Sequence, residues 1–556
     1  MQRYFDIHRT TLEGALSAIA RRTYWSAAPE APSGKIYGET AKADAEADFK
    51  AQLGQPFTME HPGEAKRIGK EESPWGFPLG VTYPAAGIGE LLAASEVAAA
   101  RWGATDIETR VGVCLEIIAR LNKQSFAIAN AVQHTTGQPF MMAFQAGGPH
   151  AQDRALEAVA YAYAEMIKVP EHARWEKPQG GGQASLIMDK YWRIMPRGVA
   201  LTIGCSTFPT WNSYPGLFAS LVTGNTVIVK PHPAAILPLA ITVQTCREVL
   251  KAAGFDPNVT LIAVDEPEAP ITKELVAHPA MAIIDFTGSP SFGRWVRENA
   301  KGAQIFTEEA GVNSIVIDST SSFKGMCSNI AVSLSLYSGQ MCTAPQNIFV
   351  PRDGIDSDEG RKSFNDVCQG VAAAVEKLLG NPERAVALLG TLQSEVTAER
   401  IRSVSAKGKT LLSSKPLEVS GSAGARIATP AILLADVVDA SLYGEEQFGP
   451  ISFIVATETT QQSIDKAAGL ARRKGAITAS VYSINPAVLD EATEKFAAAG
   501  VNVSCNLTGA VLVNQSAAFS DFHVSGANPA GNACLTDAAF VANRFRVAGI
   551  RKHVTA

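Results

Sequence analysis

The chain has 556 residues, of which 46% are hydrophobic and 19% are charged, close to ordinary globular usage. At about 150 residues per domain, this length predicts roughly three or four folding units and excludes a single small module. The net charge of −5 is spread along the chain without a block of like charge. We therefore expect no nucleic-acid partner, because binding to phosphate backbones requires a clustered basic surface.

The eight cysteines never form a Cys-x-x-Cys pair, which argues against zinc ribbons, redox dithiols and iron–sulfur clusters. We expect no metal site. The amino-terminal residues carry charge every few positions and lack the apolar core of a signal sequence. No uncharged apolar run approaches the roughly eighteen residues that a membrane-spanning helix needs. These features predict a soluble, cytoplasmic protein with reduced thiols and no membrane partner.

The segment up to about Pro170 predicts a helix-rich region. Residues 110–132, for example, repeat apolar side chains at intervals of three and four. Pro178 and the three glycines at 180–182 then make continued helix improbable. Residues 184–200 have the β-type composition of a strand or hairpin that projects from the main body.

From Val199 the pattern becomes regular, with short apolar strands alternating with helices up to the strand at 314–317. Such a pattern predicts a doubly wound α/β domain, in which helices cover both faces of a parallel sheet. Sheets of this type bind ligands at the carboxyl ends of their strands. A second α/β stretch runs from about Ser328 to Val503, and no fixed-period repeat is visible.

A strand-to-helix turn follows the apolar strand that ends at Phe286. Gly288 permits a sharp turn, Ser289 can cap the next helix, and Pro290 occupies a position where its missing N–H costs nothing. The free N–H groups and the positive end of the helix dipole suit a pyrophosphate. No Gly-x-Gly-x-x-Gly is present, so an ordinary well-capped turn stays open as the alternative.

Three further residues lie at ends of predicted elements. Cys342 occupies a loop between a helix that should stop at Gly339 and the strand at 347–350, where a thiol can be accessible and have a lowered pKa. Glu308 follows a short strand, and Lys230 ends another, at the ligand-binding end of a parallel sheet. From the residues alone, each also has a structural interpretation. Cys342 could be a buried structural cysteine, Glu308 a solvated glutamate and Lys230 a surface lysine.

Taken together, these segments resemble the aldehyde dehydrogenase superfamily. Glu308 and Cys342 are 342 − 308 = 34 residues apart, the family's usual spacing of general base and nucleophile. The matching stretches occur in the family's order and are GNTVIVKP (224–231), FTGSPSFG (286–293), TEEAG around Glu308, SGQMC ending at Cys342, and GEEQFGPIS around Glu446 and Phe448.

This resemblance covers roughly Val111 to Val513 and implies an α/β fold of two doubly wound parallel-sheet domains plus a small β oligomerisation element. It implies a homodimer or homotetramer. The implied domains are a dinucleotide-binding domain (1–178 and 198–307), a catalytic domain (308–512), and an oligomerisation hairpin with a carboxyl-terminal segment (179–197 and 513–556).

The resemblance also implies a reaction, the oxidation of an aldehyde to a carboxylic acid with NAD or NADP. Cys342 would attack the aldehyde to give a thiohemiacetal and then a thioester, which water deprotonated by Glu308 would hydrolyse. The implied cofactor-binding residues are Lys230 for the adenosine ribose, Gly288 and Ser289 for the pyrophosphate, Glu446 for the nicotinamide ribose, and Phe208, His232, Gly293 and Phe448 nearby.

Three departures from the family pattern bear on function. Thr207 occupies the position of an asparagine that binds the oxyanion, so that Thr207 or Asn212 would supply that donor. Pro233 replaces a glutamate that binds the adenosine ribose, which makes NADP plausible beside NAD, with His232 near the 2′-phosphate. The carboxyl-terminal residues 517–532 differ from the family's Gly-Gly-x-Lys-x-Ser-Gly run, and they include Phe519 and Phe522 at the expected substrate mouth.

Within the superfamily, residues 11–39 and 134–166 resemble the phenylacetic acid degradation group called PaaN. That resemblance implies an aldehyde derived from ring cleavage of a phenylacetyl-CoA derivative, and it leaves open whether the substrate is linked to CoA. Two alternatives stay open. One is a CoA-acylating dehydrogenase, and the other is a weakly catalytic nucleotide-binding scaffold subunit.

Overall fold

The amino-terminal part of the computed structural model is helix-rich, as predicted. The structure describes residues 4–63, 66–309, 311–419, 422 and 424–554. The stretch at 110–132 forms two helices that meet at Gln124. The helices of this part are Tyr4–Ile7, Arg9–Arg21, Gly34–Tyr37, Ala41–Gln52, Ile88–Gly103, Ile107–Lys123, Ser125–Thr136, Phe140–Gln145 and Ala151–Met166, with a π-helical turn at Ala146–His150. Short strands pair Arg67–Ile68 with Tyr83–Pro84 and Glu72–Ser73 with Phe77–Pro78.

The first sheet has five parallel strands, and both of its faces are buried. Along one strand, Val227 and Val229 join one hydrophobic cluster while Ile228 joins the cluster on the opposite face, as the continuous apolar strands predict. The strand order is Gln304–Glu309, Met281–Gly288, Val199–Ile203, Thr226–Lys230 and Thr260–Ile262. The connecting helices are Pro209–Val222, Leu237–Ala252, Thr272–Ala277 and Pro290–Asn299, with a 3₁₀ turn at Pro257–Val259.

The second sheet has seven strands, in the order Lys409–Leu412, Ala431–Asp436, Ile451–Thr457, Asn347–Pro351, Ser314–Ile317, Thr478–Tyr482 and Asn502–Cys505. All neighbours are parallel except the edge strand Lys409–Leu412, which is antiparallel. Parallel pairing of Lys409–Leu412 with Ala431–Asp436 would need a helical crossover. The described residues between these two strands contain no helix. The helices are Phe323–Ser335, Phe364–Leu378, Pro382–Leu389, Glu395–Ser405, Ala440–Tyr443, Thr460–Lys474 and Pro486–Ala498, with a small pair at Ser319–Thr320 and Asp356–Ser357.

The third sheet is antiparallel and joins distant parts of the chain. Its strands are Phe545–His553, Leu186–Pro196 and His172–Lys177, and the helix Ala538–Ala542 precedes the first of them. The hairpin therefore begins at His172, ahead of the predicted boundary at 179, because residues 172–177 pair along the following strand. Within the described part of the chain, no helix combines the length and apolar character needed to cross a membrane.

Candidate active site

The site lies between the carboxyl edge of the first sheet and the amino edge of the second. Glu308 is the penultimate residue of the edge strand Gln304–Glu309, rather than a loop residue just past a strand. Cys342 lies in the loop that precedes the strand Asn347–Pro351. The sulfur of Cys342 and a carboxylate oxygen of Glu308 are within 4.8 Å of each other. The fold thus brings together the two residues that were predicted to react with the same substrate.

The loop that carries Cys342 begins with three consecutive residues in the left-handed region. Tyr337 (φ 49°), Ser338 (φ 51°) and Gly339 (φ 62°) replace the helical continuation after Ser335. Such a conformation is strained for non-glycine residues and persists only where the surroundings hold it. The Tyr337 hydroxyl donates to the carbonyl of Thr136 at 2.5 Å, and the Ser338 hydroxyl donates to Leu389 at 3.1 Å.

Asn313 fixes the backbone on both sides of the thiol. Its amide donates to the carbonyl oxygens of Cys342 (2.7 Å) and Ala344 (3.0 Å). Its carbonyl oxygen accepts the backbone N–H groups of Ile477 (2.9 Å) and Thr478 (3.1 Å). Because one side chain satisfies four buried backbone groups, it sets the position of the loop relative to the second sheet. No sequence pattern indicated this role for Asn313.

Both carboxylate oxygens of Glu308 accept hydrogen bonds. Oε2 accepts the Nδ2–H of Asn212 at 3.0 Å, and Oε1 is 3.0 Å from Nε2 of His523. Asn212 was considered as an oxyanion donor, but in the structure its amide is directed to Glu308. The Thr207 hydroxyl is 4.0 Å from the sulfur of Cys205, and its oxyanion role stays a prediction.

His523 is a second polar residue of this site that no sequence pattern indicated. Its Nε2 is 3.5 Å from the sulfur of Cys342 and its side chain is 3% exposed. The signal was present only as the unusual segment 517–532. That segment was treated as an uncertain substrate mouth, and nothing in its local pattern indicates that one of its side chains would contact the thiol.

A buried ion pair holds the segment that carries His523. Arg154 and Glu157, both with fully buried side chains, are 2.7 Å apart on the helix Ala151–Met166. Arg154 donates to the carbonyl and the hydroxyl of Ser516, while Glu157 accepts the backbone N–H of Phe519 and the hydroxyl of Thr536. Hydrogen bonds to the remaining charged atoms are what make a buried pair tolerable.

The two phenylalanines expected at the substrate mouth have different surroundings. Phe519 is fully buried, and its ring packs edge-on against Trp25 at 4.9 Å. Phe519 is therefore a core residue. The Glu157 carboxylate accepts its backbone N–H and holds it in this position. Phe522 is 44% exposed and has the Arg22 guanidinium 3.7 Å above its ring.

Desolvation dominates the electrostatics of the thiol. It raises the pKa of Cys342 well above the usual value, and the neighbouring charge of Glu308 raises it further, with smaller effects from Cys205 and Glu446. Burial likewise raises the pKa of Cys205. The resting nucleophile is therefore a thiol, and ionising it requires both a proton acceptor and a group that stabilises negative charge on sulfur.

Lys230 ends a strand of the first sheet, as predicted, and forms a buried ion pair there. Its Nζ donates to Oδ1 of Asp265 and to the carbonyl of Pro231, both at 2.7 Å. Burial lowers the pKa of Lys230, and Asp265 opposes that effect. His232 is exposed, and its Nδ1 accepts the backbone N–H of Ala234 at 3.1 Å.

The turn after the strand Met281–Gly288 of the same sheet has the predicted cap. Ser289 accepts the backbone N–H of Phe292 at 3.4 Å, and the ten-residue helix Pro290–Asn299 begins there with an exposed amino terminus. The strand continues to Gly288 rather than ending at Phe286, and Gly288 has no left-handed φ. Gly293 allows close packing, since a Cβ there would lie 2.2 Å from the Glu309 carboxylate.

Three further residues were predicted near a cofactor: Phe208, Glu446 and Phe448. Phe208 precedes the helix Pro209–Val222 and packs edge-on against Tyr337 at 5.7 Å. The carbonyl oxygen of Phe448 accepts a hydrogen bond from Arg400. Desolvation raises the pKa of Glu446 to about 8, and the positive charge of Arg400 partly opposes this.

Comparison with known proteins agrees with this architecture and site. A model described as the aldehyde dehydrogenase family matches residues 83–532. The crystal structure of an NAD-dependent aldehyde dehydrogenase from Burkholderia multivorans is 54% identical, with a TM-score of 0.98, and the match covers 100% of this chain and 99% of that one. An N-succinylglutamate 5-semialdehyde dehydrogenase of Burkholderia cenocepacia is 27% identical over 393 residues, which are 70% of this chain and 75% of the relative.

A 1-pyrroline-5-carboxylate dehydrogenase of Bacillus subtilis is 24% identical over 438 residues, which are 76% of this chain and 78% of the relative.

Two parallel sheets with a thiol and a carboxylate at their junction define a class of oxidoreductase. The chain belongs to the aldehyde dehydrogenase family. The predictions of an α/β fold with parallel sheets, of an aldehyde dehydrogenase enzyme, and of NAD or NADP as its cofactor are confirmed at that level.

Proposed function

We propose that this enzyme oxidises an aldehyde to a carboxylic acid, with Cys342 as the nucleophile and Glu308 as the base for thioester hydrolysis. The observation that carries this proposal is the proximity of the thiol and the carboxylate, within 4.8 Å, at the junction of the two sheets. The family relationship alone names neither residue in this chain.

The chemistry at Cys342 has two parts. The sulfur attacks the carbonyl carbon, and the C=O electron pair moves to oxygen to form a thiohemiacetal. A bound nicotinamide supplies the acceptor for the hydride that leaves this carbon. Glu308 then takes a proton from a water molecule whose oxygen attacks the thioester carbon, and the carboxylic acid leaves as the C–S bond breaks.

The described residues fit a dinucleotide at the carboxyl edge of the first sheet. Lys230 ends the strand Thr226–Lys230 and Ser289 follows the strand Met281–Gly288, and both therefore lie at the edge of the sheet where such ligands bind. The amino terminus of the helix Pro290–Asn299 is exposed beside Ser289, which suits a pyrophosphate. Pro233 carries no negative charge that would repel a 2′-phosphate, which supports NADP, while the Burkholderia multivorans relative is NAD-dependent.

For the substrate we propose a semialdehyde. The resemblance of the amino-terminal segments supports a ring-cleavage product in phenylacetate catabolism, and the Burkholderia cenocepacia relative is named for N-succinylglutamate 5-semialdehyde. The test is a panel of aliphatic, aromatic, carboxylate-bearing and CoA-linked aldehydes, each assayed with NAD and with NADP. A preference for unsubstituted alkanals would contradict the semialdehyde proposal.

Two other functions make different predictions. A CoA-acylating enzyme would form product only when CoA is added, and it would not need the base that Glu308 provides. A scaffold subunit would tolerate Cys342→Ala without loss of pathway flux in cells. We expect Cys342→Ala to abolish NAD(P)H formation with any aldehyde of the panel, and retained formation would refute the assignment of the nucleophile.

We further propose that the third sheet joins subunits in a homodimer or homotetramer. Its edge strand Phe545–His553 exposes Val547 (44%) and Ile550 (37%), and an uncovered apolar edge strand is an aggregation hazard in a monomer. Gel filtration at micromolar concentration tests this, and a monomer would contradict it.

All described cysteines are free, which supports a reducing, cytoplasmic location.

A further inference from the structure

The imidazole of His523 lies between the two groups of the proposed reaction, and none of the sequence patterns assigns it a role. Its Nε2 is 3.5 Å from the sulfur of Cys342 and 3.0 Å from Oε1 of Glu308. The ring packs edge-on against Trp211 at 4.6 Å. With only 3% of the side chain exposed, His523 is a fixed part of the site rather than a surface histidine.

The surroundings of the ring determine which nitrogen carries the proton. Nε2 faces the Glu308 carboxylate, an acceptor, whereas the buried Nδ1 has no hydrogen-bond partner among the described residues. Buried N–H groups without an acceptor are rare because they lose the full solvation of the donor. The neutral ring with its proton on Nε2 therefore fits the site, and it acts there as a hydrogen-bond donor.

The same three side chains, Glu308, Cys342 and His523, could also surround a metal ion, since their ligand atoms are within 4.8 Å of one another. A metal-bound histidine, however, almost always donates its other ring N–H to a carboxylate, a carbonyl or water. The described part of the chain offers Nδ1 no such acceptor. This geometry favours hydrogen-bond donation from Nε2 over metal coordination.

We propose that His523 is a catalytic residue that stabilises the thiolate of Cys342 by donating its Nε2–H to the sulfur. The inference rests on the proposed function of Cys342 and Glu308. In this step the S–H bond breaks, its electron pair stays on sulfur, and an O–H bond forms on Glu308. His523 keeps its proton and shifts its hydrogen bond from the neutralised carboxylic acid to the negative sulfur. Glu308 then releases its proton to solvent before it deprotonates the hydrolytic water.

Negative charge on the sulfur needs such a donor. The ionisable groups that act most strongly on Cys342 are Glu308, Cys205 and Glu446, and each of them raises its pKa, as does desolvation. No described cation is among these groups. A neutral donor at 3.5 Å that strengthens its hydrogen bond as charge develops offsets part of that cost.

The test measures the reactivity of the thiol without any aldehyde. The rate at which iodoacetamide alkylates Cys342, identified by peptide mass spectrometry, is followed from pH 6 to pH 10 in the wild type, His523→Leu and His523→Gln. We expect the leucine variant to react about tenfold more slowly at neutral pH, the effect of losing one hydrogen bond to a charged atom. Its alkylation profile should move to higher pH, and glutamine, which keeps an N–H donor, should restore most of the rate.

His150→Gln is the matched control. His150 also pairs with a glutamate, Glu30, at 2.8 Å, but it lies at the surface with 43% of its side chain exposed, so its replacement should leave the alkylation profile unchanged. If the melting temperature shows that His523→Leu does not fold, His523→Phe keeps a ring against Trp211 and lacks the donor.

Two results would overturn the inference. One is a donor-free variant at position 523 that alkylates with the wild-type rate and pH profile. The other is a glutamine variant as slow as the leucine variant, which would show that His523 must accept a proton rather than donate a hydrogen bond. Failure of the proposed function is a separate result, because it appears as aldehyde oxidation that survives Cys342→Ala.

Discussion

Replacing Asn313 with alanine removes the side chain that ties the Cys342 loop to the second sheet. Asn313 is 2% exposed. Its side chain makes four hydrogen bonds, with the carbonyl oxygens of Cys342 and Ala344 and with the N–H groups of Ile477 and Thr478, all at 2.7–3.1 Å. Alanine leaves these four backbone groups without their partner in a buried region.

Each such bond contributes about 1 kcal/mol net, so Asn313→Ala should lower the free energy of unfolding of the second-sheet region by about 4 kcal/mol. Asn313→Asp keeps the oxygen that accepts from Ile477 and Thr478 but loses both donated bonds. It should therefore cost at least about 2 kcal/mol. In both variants the thiol is less well positioned, and we expect kcat/KM to fall by roughly tenfold or more.

Pulse proteolysis in urea measures the stability, and steady-state assays measure kcat/KM. The matched control is Asn299→Ala, because Asn299 is half-buried and its amide donates a single bond, to the carbonyl of Trp295 at 2.8 Å. Its loss should cost about 1 kcal/mol or less. An Asn313→Ala variant within about 1 kcal/mol of the wild type would refute the argument that these four bonds hold the loop.

Three further variants test other parts of the site. Glu308→Gln should still form the acyl-enzyme but lose hydrolysis, giving one rapid burst of NAD(P)H per subunit and a steady-state rate lower by about 10²–10⁴-fold, as rapid mixing would show. Glu446 should ionise as the pH rises through about 8, so the KM for the cofactor should fall by up to about tenfold from pH 7 to pH 9, a dependence that Glu446→Gln should abolish. Arg154→Met removes the closer of the two cations that pair with the buried Glu157 and leaves only Arg22, at 3.8 Å; it should cost about 3 kcal/mol, measured by urea unfolding.

The variants at Glu308 and Arg154 each have a control within the same chain. Glu309→Gln changes the adjacent buried carboxylate, which pairs with Arg297. In this variant, NAD(P)H formation should continue at a steady rate and should not stop after one burst. The double replacement Arg154→Met with Glu157→Met removes both charges and should recover much of the lost stability. Full turnover by Glu308→Gln, or an unchanged pH dependence of cofactor KM in Glu446→Gln, would contradict the roles assigned to these carboxylates.

Local patterns located the elements of the first sheet, although two strands extend further than predicted. The apolar strand that ends at Lys230 and the cap at Ser289 are where the residues predicted them, because strand burial and helix capping depend on neighbours within a few positions. The antiparallel edge strand Lys409–Leu412 was not predicted, since pairing direction depends on how the intervening chain returns.

The sequence by itself determined the α/β class, the alternation of strands and helices from Val199 to the strand at 314–317, and the 34-residue spacing of Glu308 and Cys342 that indicated the family. Only the tertiary structure decided what surrounds the thiol. His523 is 181 residues from Cys342 and 215 from Glu308 along the chain, and Asn212 is directed to Glu308 rather than to an oxyanion. These contacts depend on how the two sheets and the carboxyl-terminal segment pack together, which no periodicity or local motif encodes.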